Sequence, residues 1–295
     1  MRPTTEEVAQ VGANYGIDVP SRAALQEIES SSRLRIDGDV IHVSMPLATS
    51  DDETGLRPMP LGFLLSARVL VTVRFSAIRA FDDAQSGILA KPPADGSAGV
   101  FATLIDGMVD FGADALEEMS AELAAISKAV FGDHPQDSAT TPTPKRALRE
   151  SLSSIGKVGN RLSRTRESLL GLQRIVSFVS ERAVSWLQPE AQARLRAARE
   201  DLASLIDFEA HLSGKTQFLL DAILGFISTE QNDIFKILTM ASVVGIPPTL
   251  IASMYGMNFR GMPELSWRWG YPYGLCLIAL SIVVPIVWFK RRHWW

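Results

Sequence analysis

Two long apolar runs near the C-terminus dominate the hydropathy pattern of the chain. Residues 237–255 contain no charged side chain, and residues 270–289 contain none either. Each run is close to the roughly 20 apolar residues that a helix needs to cross the hydrocarbon core of a bilayer. The pattern therefore predicts two transmembrane helices, although two buried helices of a soluble core would also give long apolar runs.

Aromatic and basic residues around the two runs favour the membrane interpretation. The aromatic residues at one end are Trp267, Trp269, Tyr271 and Tyr273, and those at the other end are Trp288, Trp294 and Trp295. Such belts are typical of membrane interfaces, and the basic residues Lys290, Arg291 and Arg292 after the second run predict a cytoplasmic C-terminus. Since the polar N-terminus lacks a signal-peptide pattern, two crossings leave the N-terminal part in the cytoplasm as well.

The first run carries a stripe of mostly small or polar residues, separated alternately by three and four positions, as on one face of a helix. We call it the polar stripe, and its members are Asn232, Phe235, Thr239, Ser242, Ile246, Thr249, Ser253 and Gly256. The opposite faces carry Ile237, Leu238, Val243, Val244 and Leu250.

Two interpretations of the polar stripe stay open on the pattern alone. Small residues let membrane helices approach closely. Alternatively, the stripe lines a water-filled path in which Phe235 and Ile246 form constrictions. Pro247 and Pro248 interrupt the same run, and their tolerance in a membrane indicates neighbouring helices, hence an oligomer. The second run has no such stripe and is expected to face lipid.

The remainder of the chain reads as an α+β region followed by helices. Alternating and β-branched residues between Leu34 and Arg79 predict strands. Helical patterns cover residues 99–131 and 145–186, and the segment between them is rich in Pro, Thr and Ser. Leucines at helical spacing from residue 195 onward predict a long stalk helix that continues into the first apolar run, on the order of 90 to 100 Å in length.

The composition argues against several classes of function. With 29 basic and 33 acidic residues the net charge is -4, which does not suggest a nucleic-acid-binding surface. The four histidines and the single cysteine show no zinc-binding spacing, and no phosphate-binding loop or nucleophile elbow occurs. We therefore expect neither an enzyme nor an organic cofactor.

Short motifs between the two apolar runs identify a family. Residues 255–258 read YGMN, residues 262–265 read MPEL, and residues 267–272 read WRWGYP. In this order, with the tail FKRRHWW, they closely resemble the CorA family of divalent-cation channels, whose signature is Gly-Met-Asn at the end of the first transmembrane helix. The resemblance is closest over residues 230–295.

The resemblance implies a homopentamer with a funnel-shaped α/β cytoplasmic domain and a stalk helix that continues as the pore-lining helix. It implies transport mainly of Mg²⁺, and also of Co²⁺ and Ni²⁺. It assigns the selectivity mouth to Gly256, Met257, Asn258 and Glu264, with the Asn258 amide meeting the hydrated ion. It also places Asn232 and Thr249 along the pore, and Phe235 and Leu238 at the inner hydrophobic gate.

The chain departs from the family pattern at two places. Arg260 stands where the family often has an acidic residue after the signature. A stalk position that often carries a metal-sensing aspartate falls on Ala197, so the nearby Glu200 and Asp201, together with Asp221, are the candidate ligands of a regulatory metal.

The predicted function is influx of hydrated Mg²⁺ through a homopentamer in the lipid bilayer of the cell inner membrane. The closest alternative is a Zn²⁺ transporter of the ZntB type, and a weaker one is a membrane-anchored scaffold. The predicted organisation is an α/β domain at 1–130, a connector at 131–144, a helical stalk region at 145–231, a pore helix at 232–257, an outer loop at 258–269, a second transmembrane helix at 270–289 and a basic tail at 290–295.

Overall fold

The computed structural model describes residues 3–27, 29–49, 57–90, 92–132, 144–257, 262–263, 267–292 and 294. The chain divides into two compact units, Met1–Asp221 and Ala222–Trp295. The boundary between the units falls within one long helix. Each unit is described separately below.

The elements follow the order that the sequence predicts, with strands near the N-terminus and long helices after them. The helices before the sheet are α1 (Thr5–Tyr15), α2 (Arg22–Leu25) and α3 (Ser30–Arg33). The strands are β1 (Leu34–Asp37), β2 (Val40–Thr49), β3 (Arg57–Leu65) and β4 (Leu70–Arg74). The later helices are α4 (Arg79–Ala90), α5 (Gly96–Phe131), α6 (Pro144–Arg182), α7 (Pro189–Tyr255) and α8 (Gly270–Arg291).

The four strands form an antiparallel sheet in the order β1-β2-β3-β4. One face of the sheet packs against the later helices: the ring of Phe63 on β3 lies 5.4 Å from the ring of Phe101 on α5, centroid to centroid. On the same face, a Cβ atom added at Gly171 of α6 would lie 2.9 Å from the Cβ atom of Met45. Glycine at this position therefore lets α6 lie close against β2.

The opposite face of the sheet is covered by the N-terminal segment. Leu64 and Val73 from the strands form an apolar cluster with Ile17 and Leu25. Because side chains of a strand alternate between its two faces, residues on both faces of β2 and β3 are buried. The first unit is thus an α/β sandwich with helices on both sides of the sheet.

The long helix α7 has 67 residues, which corresponds to about 100 Å at 1.5 Å per residue. Its first turn is held by the residue before α5, since the backbone N–H of Ala191 donates to the Asp95 carboxylate over 3.1 Å. The leucines that predict an amphipathic helix, Leu195, Leu202, Leu212 and Leu219, are buried. The helix is unbroken through Pro247 and Pro248.

The preceding helix α6 ends earlier than its apolar pattern predicts, at Arg182 rather than near Trp186. The backbone N–H groups of Trp186 and Leu187 both donate to the carbonyl of Ala183, which forms a turn. Pro189 then begins α7, and a proline disfavours helical geometry in the residue before it while fitting the first turn of the helix that follows. The apolar residues of this turn continue the helical pattern, so the sequence predicts helix where the backbone turns.

A buried ion pair joins α6 to α7. The side chain of Glu209 on α7 is 1% exposed, and Arg166 on α6 donates a hydrogen bond to it while remaining 44% exposed itself. The Ser213 hydroxyl donates to the other oxygen of the same carboxylate over 2.7 Å. A buried carboxylate that loses its cationic partner is costly, because its desolvation is no longer compensated.

Replacing Arg166 with Ala should lower the free energy of unfolding by about 1–3 kcal/mol, since it leaves the Glu209 carboxylate buried with one neutral donor. Thermal unfolding of the purified protein, followed by circular dichroism, measures this. Arg149→Ala is the matched control, because Arg149 is an exposed arginine of the same helix. Equal destabilisation by the two variants would contradict the role of the pair.

Candidate functional site

Two helices of the structure are long and apolar enough to cross a membrane, the C-terminal part of α7 and the whole of α8. In the most apolar stretch of α7 none of the residues is buried, and in that of α8 only 6% are. A core helix of a soluble protein would be mostly buried. The exposure of these apolar surfaces therefore favours a membrane over a soluble core.

The C-terminal part of α7 carries one stripe of partly covered residues. They recur at intervals of three and four positions, at Met240, Val244, Pro247, Ile251 and Tyr255. In α8 the partly covered or buried residues after its first turn also lie on one side of the helix, at Gly274, Leu277, Ile278, Ser281, Ile282, Pro285, Ile286 and Phe289. This spacing is expected when a helix packs on one side only. Neither stripe is among the predictions from the sequence, although residues at intervals of three and four positions can be found there.

The polar stripe lies on the other side of α7. At 100° per residue, its members are centred roughly opposite the covered stripe. The side chains of Phe235 and Ile246 are each 64% exposed, and the stripe residues Asn232, Thr239, Thr249, Ser253 and Gly256 are also exposed. Ser242 is the member that is partly covered. Within one chain, the polar stripe thus remains open to a partner or to water.

Leu238 lies beside the polar stripe rather than on the opposite face. It precedes Ser242 by four residues, which separates the two by about 40° around the helix axis. Its side chain is 61% exposed. The prediction that Leu238 lies on the face opposite the polar stripe is therefore wrong, and its assignment to the inner hydrophobic gate stays a prediction.

Three hydroxyl groups of the polar stripe donate to the backbone of their own helix. Thr239 donates to the carbonyl of Phe235 over 2.7 Å, Ser242 to that of Leu238 over 2.9 Å, and Thr249 to that of Gly245 over 2.8 Å. A hydroxyl has one proton and two lone pairs. Each group has therefore used its donor inside the helix and presents only acceptor capacity to its surroundings.

The two prolines in α7 remove backbone donors near the middle of the apolar run. Because proline has no N–H, the carbonyls of Val243 and Val244 lose the donor that a regular helix would supply four residues later. Pro247 and Pro248 are both partly covered, on the side away from the polar stripe. Other helices or water must satisfy the two carbonyls if this segment lies in a membrane.

Charge and aromatic residues mark the ends of the apolar helices. Asp233 and Lys236 form an exposed ion pair of 3.0 Å immediately before the uncharged run begins. Near the C-terminus, the rings of Phe289 and Trp294 lie 5.4 Å apart, and the guanidinium of Arg292 lies 5.5 Å from the ring centre of Trp288. Aromatic and basic residues in this arrangement are typical of a membrane interface.

The residues assigned to the selectivity mouth are only partly described. The backbone N–H of Gly256 donates to the carbonyl of Ala252 over 2.9 Å, and that of Met257 donates to Met254 over 3.3 Å, so both residues close the end of α7. Asn258, Arg260 and Glu264 lie outside the described residues.

The candidate regulatory ligands do not come together within one chain. Glu200 and Asp201 are exposed neighbours on α7, and Asp221 lies about 30 Å further along the helix axis. The Asp221 carboxylate accepts a hydrogen bond from Gln217 over 2.9 Å. Across the described part of the chain, no group of three or more potential metal-ligating side chains occurs.

Comparison with known proteins agrees with this geometry. The family model described as "CorA-like Mg2+ transporter protein" matches residues 1–291. The chain belongs to the CorA family. The magnesium transport protein CorA of Wolinella succinogenes is 30% identical over all of this chain and 89% of its own length. The protein of the same name from Escherichia coli K12 is 31% identical over all of this chain and 90% of its own length.

The fold of this CorA-family chain also matches a solved structure, the complete CorA magnesium transporter of Methanocaldococcus jannaschii. The TM-score is 0.77 with 19% sequence identity, over 99% of this chain and 89% of the other. At this identity the likeness concerns the fold. It supports the predicted class, an N-terminal α/β domain with a long helix and two apolar C-terminal helices.

Proposed function

We propose that the protein is a channel for hydrated Mg²⁺, which enters the cytoplasm down its electrochemical gradient. Membership of the CorA family and the magnesium transport proteins among its relatives support a magnesium transporter. One observation carries the channel mechanism. The hydroxyls of Thr239, Ser242 and Thr249 donate their protons to carbonyls of their own helix, so only their acceptor capacity is left for the pathway. Passage of a hydrated ion requires no covalent chemistry.

The hydrogen-bonding character of the polar stripe suits a hydrated cation. Water molecules bound to Mg²⁺ direct their oxygen atoms to the metal and their O–H groups outward. The stripe offers acceptors for those O–H groups, and Mg²⁺ gives up its water reluctantly. Hydroxyl acceptors can therefore guide the ion with its hydration shell in place, whereas Phe235, Leu238 and Ile246 narrow the path where they interrupt the polar residues.

A single polar stripe forms only one wall of a pathway, so the proposal requires several copies of α7 around an axis. We propose the homopentamer that the family resemblance implies. The exposure of the stripe within one chain and the two proline-freed carbonyls are both consistent with neighbouring subunits. The basic residues after α8 support the proposal that both termini lie in the cytoplasm and that the channel lies in the cell inner membrane.

The outer mouth is assigned to Gly256, Met257, Asn258 and Glu264. A ring of neutral Asn258 amides would hydrogen-bond to the hydrated ion without removing its water, and Glu264 would raise the local cation concentration. Regulation by Mg²⁺ at Glu200, Asp201 or Asp221 would need ligands from a second subunit, because these residues are dispersed along one helix. Co²⁺ and Ni²⁺ are further candidate ions.

Uptake into liposomes that contain the purified protein tests the proposed transport. With an indicator dye inside, an external Mg²⁺ gradient should produce a signal that protein-free liposomes lack. Parallel runs with Co²⁺, Ni²⁺ and Zn²⁺ at equal concentration establish the preference. Uptake of Zn²⁺ alone would support the zinc alternative, and uptake of none of the four ions would refute the channel.

Replacing Asn258 with Ala should reduce Mg²⁺ uptake at least about tenfold, since each subunit loses one hydrogen bond to the hydrated ion. The oligomer should persist, as measured by size-exclusion chromatography with light scattering. Glu264→Gln is the comparison variant. It should slow uptake at low ionic strength and much less at high salt, because a loop carboxylate acts through screened electrostatic attraction. Full activity of the Asn258 variant would remove the amide from the mechanism.

Cysteine accessibility tests whether the polar stripe faces water. In a Cys276→Ser background, which lacks the only native cysteine, Ser242→Cys and Ser253→Cys should react with a charged, membrane-impermeant thiol reagent. Val243→Cys and Met254→Cys are matched controls, since each lies at nearly the same depth but about 100° further around the helix. The controls should react at least about tenfold more slowly, because a thiol that faces lipid or a neighbouring helix is out of reach of a charged reagent and forms little thiolate. Equal reactivity within each pair would show that the stripe does not line a water-filled path.

A further inference from the structure

A cavity of about 290 Å³ lies on the face of the sheet that α2 and α3 cover, within the first unit. Its floor is formed by β2 and β3, and apolar side chains such as Leu25 and Leu64 line one part of it. Polar side chains line the remainder, and they include Arg33, Arg35, His42 and Ser44. The proposed ion pathway uses none of these residues.

Two of the polar residues are buried although they belong to the central strand of an apolar sheet. His42 is 7% exposed and Ser44 is 6% exposed, and both point to the same face because they are two positions apart. Within the described part of the chain, the Ser44 side chain makes no hydrogen bond, and His42 has a single side-chain contact. Neither the Ser44 hydroxyl nor a ring nitrogen of His42 is a fully buried atom without a partner, so these groups open into the cavity, where a ligand or water can complete their hydrogen bonding.

The contact of His42 with Arg35 determines which nitrogen of its imidazole ring carries the proton. A guanidinium nitrogen of Arg35, which stands opposite His42 in the strand register, lies 3.5 Å from Nδ1. Because a guanidinium can only donate, Nδ1 acts as the acceptor and Nε2 carries the ring proton. Burial lowers the pKa of His42, and the Arg35 charge lowers it further, against the opposing effect of Asp37 and Asp18. The neutral ring therefore offers one donor, Nε2–H.

The two arginines have spare donors. The Nε atom of Arg33 donates to the carbonyl of Glu27 over 2.6 Å, which leaves the terminal nitrogens of its guanidinium. Among the described residues, neither Arg33 nor Arg35 forms an ion pair. The cavity thus collects donors from two guanidinium groups, an imidazole and a hydroxyl, and an oxyanion is the group that accepts from all of them.

Glu27 limits the charge of the ligand. Its carboxylate also lines the cavity, and the residue is exposed. With two guanidinium groups, one carboxylate and a neutral His42, the lining has a net charge of about one, which favours a single compact oxyanion over a polyphosphate. The apolar lining beside the donors leaves room for a small organic group.

We propose that this cavity binds a phosphate group, either as the free ion or as a small phosphomonoester. Arg33 and Arg35 supply the charge, and His42 Nε2–H and the Ser44 hydroxyl supply neutral donors from the floor. The ligand would bind within the N-terminal α/β unit. The inference does not depend on which ion the C-terminal helices transport.

Isothermal titration calorimetry on the purified full-length protein tests the site, with inorganic phosphate and ribose 5-phosphate as probes in chloride buffer of constant ionic strength. Saturable binding of at least one probe is expected. Tighter binding of ribose 5-phosphate would identify an organic ligand, and equal or tighter binding of inorganic phosphate would identify the free ion. No saturable binding of either probe would overturn the proposal.

Variants assign the binding to the cavity. Arg35→Gln should weaken phosphate binding about tenfold, because it removes one charge-assisted hydrogen bond. Its fold should persist, since Arg35 has an exposed side chain on the edge strand β1, and a thermal melt checks this. Ser44→Ala should weaken binding as well. The matched control Arg149→Gln, on exposed α6 surface, should change affinity less than about twofold, and equal weakening by both arginine variants would overturn the assignment.

Discussion

Backbone hydrogen bonding within an apolar helix is the constraint on which the C-terminal part of the protein depends. In a hydrocarbon environment water cannot satisfy an open carbonyl or N–H group, so each must find a partner in the protein. Helix α7 satisfies its own backbone groups over most of its apolar run. At Pro247 and Pro248 the backbone N–H groups are missing, so two carbonyls need partners from elsewhere. The hydroxyls of Thr239, Ser242 and Thr249 obey the same rule, because each donates to a carbonyl one turn earlier. The polar character of the stripe is therefore compatible with an uninterrupted helix.

In the N-terminal unit, ion pairs between side chains help to position the long helices. Helices α5, α6 and α7 are joined by ion pairs whose members come from different helices, such as Arg194 with Asp106 at 2.6 Å and Arg161 with Glu122 at 3.0 Å. The pair of Arg166 with Glu209 is the most buried of them on its acidic side. These pairs fix which faces of the helices meet, while the apolar residues supply the burial that favours association. The start of α7 is fixed in the same way, by the carboxylate of Asp95 on its first turn.

Much of this architecture could be predicted from the sequence, because it follows from periodicity. The β-branched alternation before residue 79, the leucine spacing in α7 and the two uncharged runs correspond to elements of the structure. The end of α6 was missed because the apolar pattern continues through a turn that the backbone of Ala183 closes. Leu238 was assigned to the wrong face because its apolar side chain counted for more than its angular position. The cavity that we propose as a phosphate site was not predictable, since Arg35 and His42 become neighbours only through the register of β1 and β2.

The kinds of side-chain atom along α7 that could contact a metal ion also indicate which ion the polar stripe suits. Zn²⁺ favours nitrogen and sulfur ligands from His and Cys, and it binds them directly. Residues 237–257 contain neither His nor Cys, and no carboxylate. A stripe of hydroxyl acceptors cannot compete with water for the inner coordination shell of a divalent ion, so it favours an ion that keeps its shell. Mg²⁺ is such an ion, and in the proposed channel the same absence of strong ligands would let it leave the path as readily as it enters, which conduction requires.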